Sequence, residues 1–194
     1  MNVVINRTDR PERLIEAKRQ LDQYGLEFEV FPAIINKIGW MGCRNSHLKV
    51  LELYKDEPTL TIFEDDVKFL SDPIDTMIAS LKELPKEWDL LYLGISPQEP
   101  FKKYSDHLYR AGHGYCAHAI SYNTRSGVIN HILKHRHDIL KWDVYLSSMI
   151  NKQFNCFVVY PILCTQVQHK SDTCIRTDSS TIVKNYNRFC NDAK

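Results

Sequence analysis

Three consecutive acidic residues, Glu64, Asp65 and Asp66, follow the apolar run at residues 60–63. Adjacent carboxylates repel one another unless a positive charge lies beside them. Oxygen ligands of this kind suit a hard cation such as Mg²⁺ or Mn²⁺, which also binds phosphate oxygens. In an open α/β sheet, ligands bind at the carboxyl ends of the strands. The pattern therefore predicts a divalent-cation site that accompanies a phosphorylated ligand, and a solvated acidic turn is the alternative interpretation.

A histidine late in the chain is a second candidate for cation binding. His169 lies in a polar stretch, residues 165–172, that follows a strand-like region. Imidazole is a common metal ligand, so His169 could complete the coordination of a cation held by Asp66. A surface histidine in a loop explains the same pattern, and both interpretations stay open.

Asp143 is the best candidate for a general base. It begins a predicted amphipathic helix and directly follows Trp142. A carboxylate in this position could accept a proton during catalysis. Aspartate at a helix start also commonly caps the helix, and the two roles are compatible.

Basic residues follow the first predicted strand, at residues 2–6. They are Arg7, Arg10 and Arg13. A nucleotide approaches an open α/β sheet at this end of a strand, so these side chains are candidate ligand contacts. A charged helix start is the alternative interpretation.

Residues 42–47 (Gly-Cys-Arg-Asn-Ser-His) precede a helix that we predict from about Ser46 to Lys55. Backbone amides at a helix start can receive a phosphate or a substrate oxygen. Cys43 and His47 also have the residue types of a nucleophilic pair. Because the sequence shows no acid to orient the histidine, nucleophilic catalysis by Cys43 is not predicted.

Strand and helix alternate in the first half of the chain. Apolar runs predict strands at residues 2–6, 28–31, 60–63 and 88–94. Helices are predicted to start near Asp9, which is placed to act as an N-cap, near Ser46, and near Asp72. This order favours an α/β fold with a mainly parallel sheet covered by helices on both faces.

The second half has a less regular pattern. Two short strands are predicted around Gly112, helices near residues 128–133 and 144–150, and a strand at residues 154–160. No linker or repeat divides the chain, so residues 1–194 are predicted to form a single domain. Residues 1–95 are the predicted nucleotide-binding half, and residues 96–194 are predicted to shape the site for the second substrate.

The composition argues against several classes of protein. The formal net charge is +1, from 25 basic and 24 acidic residues, so there is no electrostatic reason to expect nucleic acid or an anionic membrane as a partner. No apolar run approaches the roughly 20 residues of a transmembrane helix, and the first residues lack the pattern of a signal peptide. The six cysteines include no CxxC pair. Reduced thiols and a cytoplasmic location are therefore predicted.

Taken in order, these motifs resemble glycosyltransferase family 25, which includes bacterial lipopolysaccharide glycosyltransferases and collagen galactosyltransferases. The resemblance extends from Val3 to about Asp178. It is carried by Ile5-Asn6 with Arg10 and Arg13, Gly42-Cys43 with Ser46-His47, the run Ile-Phe-Glu-Asp-Asp-Val at 62–67, the run Trp-Asp-Leu-Leu-Tyr-Leu-Gly at 88–94, the tyrosine-containing strand at 115–121, Asp143, and Ser171-Asp172. The chain departs from the family pattern in Arg7, in a short loop at residues 98–106 and in a brief C-terminus. These departures concern the acceptor more than the chemistry.

The resemblance implies a GT-A type fold, a nucleotide-sugar donor, of which a UDP-sugar fits best, and Mn²⁺ or Mg²⁺ as cofactor. It implies that Asp66 binds the metal with His169 as a late ligand, and that Asp65 and Glu64 contact the sugar and ribose of the donor. Asp143 is expected to be the catalytic base. The remaining expected donor contacts are Asn6, Arg7, Arg10, Ser46 and His47.

The activity implied by the resemblance is transfer of a hexose, with inversion at the anomeric carbon, to a hydroxyl of a glycan, a lipid-linked saccharide or a protein. Two alternatives use the same residues. One is a metal-dependent phosphohydrolase or nucleotidyltransferase, and the other is a non-catalytic protein that binds a nucleotide or a glycan.

Overall fold

The computed structural model describes residues 1–70, 73–139, 141–167 and 179–191. The strands are β1 (Asn2–Asn6), β2 (Glu29–Pro32), β3 (Leu60–Glu64), β4 (Val67–Phe69), β5 (Leu90–Pro97), β6 (Lys102–Lys103), β7 (Leu108–Arg110), β8 (Gly114–Tyr122), β9 (Cys156–Val159) and β10 (Cys164–Gln166). The helices are α1 (Pro11–Asp22), α2 (Gly39–Tyr54), α3 (Pro73–Glu83), α4 (Val128–Lys134), α5 (Trp142–Tyr145), α6 (Asn151–Gln153) and α7 (Ser179–Asn191). A π-helical turn, Leu146–Ile150, joins α5 to α6.

Eight strands form one sheet in the order β2-β1-β3-β8-β5-β9-β7-β6. Strand β1 is parallel to both β2 and β3, and β5 is parallel to β9. Strand β8 lies between β3 and β5 and is antiparallel to both, so β3 and β5 point the same way. Six of the eight strands therefore share one direction, and β7 and β8 run opposite. The predicted α/β fold with a mostly parallel central sheet is confirmed.

Alternate residues of the strands face two different layers of helices. Val3 and Ile62 lie in one core with residues of α2, α4 and α5. Val4 and Phe63 lie in a second core with residues of α1. Because successive side chains of a strand point to opposite faces, the same strands supply both cores. The sheet is thus covered on both faces, as predicted.

Helix α2 begins earlier than the sequence indicates. It starts at Gly39, so the predicted helix start at Ser46 is wrong. Two glycines lower the intrinsic helix propensity of this segment. Gly42 is nevertheless suited to its position, because a Cβ atom there would lie 2.6 Å from the carbonyl oxygen of Ile34. Close packing against the preceding loop explains the glycine.

The start of α1 also differs from the prediction. Arg10, not Asp9, is the N-cap residue, and it makes no side-chain capping bond. The Asp9 carboxylate instead accepts hydrogen bonds from the Arg7 guanidinium, at 3.0 Å from Nε and 2.7 Å from Nη2. This ion pair lowers the pKa of Asp9. The Asp9 carboxylate therefore binds Arg7 and does not cap α1.

Strands β4 and β10 form a separate antiparallel ribbon beside the sheet. A two-residue turn, Asp65 and Asp66, leads from β3 into β4. The backbone N–H of Val167 donates to the carbonyl of Asp66 at 2.7 Å. The ribbon thereby fixes the turn that carries two of the three acidic residues. None of the helices in the described ranges has the length and apolar content needed to span a bilayer.

Candidate functional site

The acidic residues lie where two parallel strands end. Strands β1 and β3 are neighbours, with Ile5 paired to Glu64, so Asn6 and Asp65 follow at the same edge of the sheet. This is the edge at which open α/β sheets bind ligands. The three acidic side chains nevertheless make different contacts, and each is held by a different part of the chain.

Glu64 faces α2. One of its carboxylate oxygens, Oε1, lies 3.1 Å from Nε2 of His47 and accepts a hydrogen bond from Sγ of Cys43 at 3.7 Å. Burial opposes ionisation of Glu64, but the hydrogen bond and charge of His47 outweigh it and lower the pKa of Glu64. The side chain keeps 24% of its surface exposed, so a ligand can reach it.

His47 is held rigidly beneath this carboxylate. Its side chain is 1% exposed, and its ring stacks on Trp142 with a centroid distance of 5.0 Å and an interplanar angle of 17°. Ser46, its neighbour, donates to the Gly42 carbonyl and accepts from the Ile34 N–H, both at 2.8 Å. Both residues lie inside α2, where the Gly42 N–H already donates to the Ile38 carbonyl. The prediction that amides of residues 42–47 form an anion-binding helix start is therefore wrong.

Asp65 faces α1. It forms an ion pair with Arg13 at 3.2 Å, in which each side chain is 11% exposed. The backbone N–H of Arg7 donates to the second carboxylate oxygen at 3.4 Å. Burial raises the pKa of Asp65, although the charge and hydrogen bond of Arg13 oppose that change. The start of α1 thus orients Asp65.

Asp66 faces the β4–β10 ribbon. The side-chain amide of Gln166 donates to both carboxylate oxygens at 3.4 Å. Burial, followed by the charges of Glu64 and Asp65, raises the pKa of Asp66 to about 8. A half-buried carboxylate beside two others is stabilised by a nearby cation. The oxygen-rich donor set therefore fits the hard divalent cation predicted from the sequence.

Asp143 lies at the same site, on α5. It is the second residue of the helix and not its N-cap, which is Lys141. Its Oδ1 atom accepts a hydrogen bond from the Val144 N–H at 2.9 Å. Its negative charge acts on the thiol of Cys43, together with the charges of Glu64 and Asp66. Its neighbour Trp142 stacks on His47, which contacts Glu64, so the fold brings the start of α5 to the acidic triplet across about 80 residues of sequence.

The residues after β1 surround the same edge of the sheet. Asn6 is 4% exposed, its amide donates to the Arg7 carbonyl at 3.0 Å, and its Oδ1 atom has no hydrogen-bond partner among the described residues. Arg10 immediately precedes α1, and its N–H donates to the Arg7 carbonyl at 2.9 Å. The Arg7 side chain is directed to Asp9. Asn6 therefore has an unused acceptor atom at the strand end.

His169 and the Ser171-Asp172 pair fall outside the described residues. Two contacts of the site, Gln166 with Asp66 and Cys43 with Glu64, were not predicted from the sequence. Gln166 was an available candidate, because it lies in the same polar stretch as His169. The contact of Cys43 with Glu64 had a weaker signal, namely the four-residue spacing of Cys43 and His47, which places both on one helix face.

No family model and no curated protein sequence matches the chain. Among solved structures, it is similar to a glycosyltransferase involved in the glycosylation of the major capsid of PBCV-1, with a TM-score of 0.58, 8% identity, and coverage of 96% of this chain and 98% of that one. The galactosyltransferase LgtC in complex with donor and acceptor sugar analogues gives a TM-score of 0.44, 12% identity and coverage of 81% and 73%. A mannose-1-phosphate geranyltransferase from Thermus thermophilus gives a TM-score of 0.45 and 10% identity, with 81% of this chain spanning 58% of that one.

The similarity along nearly the whole of both chains shows a glycosyltransferase-like fold of the GT-A type. At this level of sequence identity, the similarity concerns the fold alone. The activity has to be argued from the site.

Proposed function

We propose that the chain is an inverting, metal-dependent glycosyltransferase of the family 25 type. In this proposal it transfers a hexose from a nucleotide-sugar, with a UDP-sugar as the favoured donor, to a hydroxyl of a glycan, a lipid-linked saccharide or a protein. The observation that carries the proposal is the convergence of Glu64, Asp65, Asp66 and Asp143 at the carboxyl ends of β1 and β3. The glycosyltransferase-like fold supports it.

The proposed cation-binding residue is Asp66, with His169 as a second ligand. Asp66 suits this role because burial and neighbouring carboxylates disfavour its charged form in the absence of a cation. A bound Mn²⁺ or Mg²⁺ supplies Lewis-acid stabilisation of the charge that develops on a departing diphosphate. Gln166 orients the Asp66 carboxylate through its amide.

The donor is proposed to lie along the edge formed by β1 and β3. Glu64 and Asp65 are the proposed contacts to its sugar and ribose hydroxyls, because carboxylates accept hydrogen bonds from such groups. Asn6 offers a buried acceptor atom at the same edge, and Arg7 and Arg10 supply positive charge near the diphosphate. Ser46 and His47 are proposed to act by holding α2 and Glu64 in place, since Oγ of Ser46 and Nε2 of His47 already bond within the protein.

Asp143 is the proposed general base. It removes the proton from the acceptor hydroxyl while that oxygen attacks the anomeric carbon opposite the diphosphate. The new C–O bond forms as the bond to the diphosphate breaks, so the configuration inverts. Base catalysis of this kind contributes about 10²–10⁴-fold to the rate. The stacking of Trp142 on His47 fixes the start of α5 and with it the Asp143 backbone.

The test is to incubate the purified protein with Mn²⁺ and a panel of UDP-sugars, with and without simple glycoside acceptors. The expected result is UDP release that depends on the cation and rises when an acceptor is added. Equal release without any acceptor would favour a phosphohydrolase. Binding of UDP without any turnover across the panel would favour a non-catalytic protein.

A further inference from the structure

A second group of metal-ligand atoms lies on the α2 side of Glu64. It consists of Sγ of Cys43, Nε2 of His47 and a carboxylate oxygen of Glu64, and these atoms all lie within 4.8 Å of one another. Cys43 and His47 are four residues apart, so α2 presents them on one face, one turn apart. Paired ligands at this spacing on a helix, completed by a third from elsewhere, are a common arrangement at zinc sites.

Two distances within this group are close to those between the ligand atoms of a metal centre. Sγ of Cys43 lies 3.7 Å from Oε1 of Glu64, and Nε2 of His47 lies 3.1 Å from the same oxygen. Ligand atoms at about 2.0–2.3 Å from a tetrahedral zinc ion lie about 3.3–3.6 Å from one another. Small side-chain adjustments therefore suffice to place one ion between the three atoms.

The surroundings also favour a cation at this position. The carboxylates of Glu64, Asp143 and Asp66 all act on the Cys43 thiol, so the local electrostatic potential is negative. His47 is 1% exposed and held by its stacking on Trp142, which fixes its ring before any ion binds. The exposed part of the Glu64 side chain leaves a route from solvent.

We propose that Cys43, His47 and Glu64 form a binding site for a borderline-soft transition-metal ion of the Zn²⁺ class, with a fourth coordination position open to solvent. Sulfur and imidazole ligands select such ions over Mg²⁺ and Mn²⁺, which prefer the oxygen atoms near Asp66. On binding, the Cys43 thiol loses its proton to solvent, and the proton on Nε2 of His47 is lost to solvent or moves to Nδ1. The Cys43 thiolate, Nε2 of the neutral imidazole and ionised Glu64 then supply the lone pairs. The site goes beyond the proposed glycosyl transfer and requires neither donor nor turnover.

The experiment titrates metal-free protein with Co²⁺, a probe ion that accepts zinc-type geometry and gives a thiolate-to-cobalt charge-transfer absorption in the near ultraviolet. One Co²⁺ per chain should bind with this absorption, and Zn²⁺, but not excess Mg²⁺, should remove it. Cys43→Ser should abolish the absorption. His47→Gln should weaken Co²⁺ binding by more than the roughly 10–100-fold that loss of an outer-shell partner costs at a metal site. Cys116→Ser, which changes a cysteine outside the group, should leave the absorption intact.

Absence of the absorption in the wild-type protein, or its survival in Cys43→Ser, would overturn the proposal. Circular dichroism checks that each variant folds, and Cys43→Ala replaces Cys43→Ser if the serine variant does not. Asp66→Asn should still bind Co²⁺ at the thiolate site, because it keeps all three ligands. Loss of sugar transfer in Asp66→Asn with retained Co²⁺ absorption would thus separate this site from the proposed catalytic cation.

Discussion

Asp66 lies at the candidate functional site, where its ionised form is disfavoured. Burial and the adjacent carboxylates raise its pKa from an ordinary value of 3.8 to about 8. A carboxyl group whose pKa is higher in the folded state stabilises the fold at low pH, and this contribution is lost as the pH rises through that interval. Without a cation, the contribution of Asp66 to the stability of the folded protein should therefore decline between about pH 4 and pH 8. Retention of such a residue is typical of functional sites.

Replacing Asp66 with asparagine should lower cation-dependent donor turnover by at least about 100-fold. The variant loses a cation ligand, and the cation stabilises the transition state by several kcal/mol. Each roughly 1.4 kcal/mol of lost stabilisation lowers the rate tenfold. The same variant should melt at an equal or higher temperature than the wild type at pH 8 in EDTA, because carboxylate repulsion is relieved. UDP release and thermal melts measure the two effects. Asp75→Asn, on the exposed surface of α3, is the control. Near-normal turnover in Asp66→Asn would refute the metal assignment.

Replacing Asp143 with asparagine should lower the transfer rate by about 10²–10⁴-fold, because the amide cannot accept the acceptor proton. Binding of UDP with Mn²⁺, measured by calorimetry, should be unchanged, since Asp143 is not proposed to touch the nucleotide. Asp138→Asn is the control, because that carboxylate is 75% exposed beside His135. Loss of UDP binding in Asp143→Asn would remove Asp143 from the role of base.

Helix α2 is the element on which the site depends most. It carries Cys43 and His47 to Glu64, and its first turns pass close beneath the loop that contains Ile34. A helix that packs this closely needs a residue without a side chain at the contact. The close packing of α2 against this loop, which Gly42 permits, therefore also sets where Cys43 and His47 lie relative to Glu64.

Changing Gly42 to alanine should destabilise the protein by about 1–3 kcal/mol, because the new Cβ would lie 2.6 Å from the backbone oxygen of Ile34 and the backbone must shift. Urea unfolding measures the change. Lys49→Ala, at an exposed position of the same helix, is the control for the effect of alanine on helix propensity. A stabilised Gly42→Ala variant would show that the loop moves aside freely and that only the propensity of alanine counts.

The carboxylate of Glu83, at the end of α3, makes hydrogen bonds with Ser105 and His107, just before β7. Burial disfavours ionisation of Glu83, but hydrogen bonds from His107 and Ser105 outweigh it and lower the pKa of Glu83 to about 2. A lowered carboxyl pKa stabilises the fold above the ordinary value of 4.5, and this contribution is lost as the pH falls toward about 2.

Glu83→Gln should therefore lower the urea midpoint at pH 7, and the difference from the wild type should shrink as the pH falls from 5 to 3. Glu12→Gln, at an exposed position of α1, is the control and should show no such pH-dependent difference. A difference between Glu83→Gln and the wild type that stays constant over this pH range would mean that the charge of Glu83 contributes nothing.

At the scale of the whole molecule, the elements with continuous apolar runs were predictable. The predicted strand at residues 2–6 coincides with β1, and the one at 60–63 falls within β3. The insertion of β8 between β3 and β5 was not predictable, because strand order depends on contacts distant in sequence. The acidic triplet and Asp143 were singled out by residue type and position alone. Their mutual arrangement required the register of α2 and α5 over the sheet, which no local pattern contains.

The place of β8 has a consequence for how the chain can be made. On the ribosome, β3 and β5 are synthesised before β8 (residues 114–122). In the folded protein β8 lies between them and pairs with both. Until β8 is synthesised, β3 has one unpaired edge and β5 has two, because its other neighbour, β9, is synthesised later still. Such edges invite association between chains.

A chain that ends at residue 113 should therefore remain protease-sensitive and aggregate, whereas one that ends at residue 194 should yield a resistant core. Limited proteolysis of stalled or truncated chains measures this. A resistant core in the shorter chain would show that the first half folds without β8. We expect residues 1–95 to reach their folded state only after translation has passed well into residues 96–194.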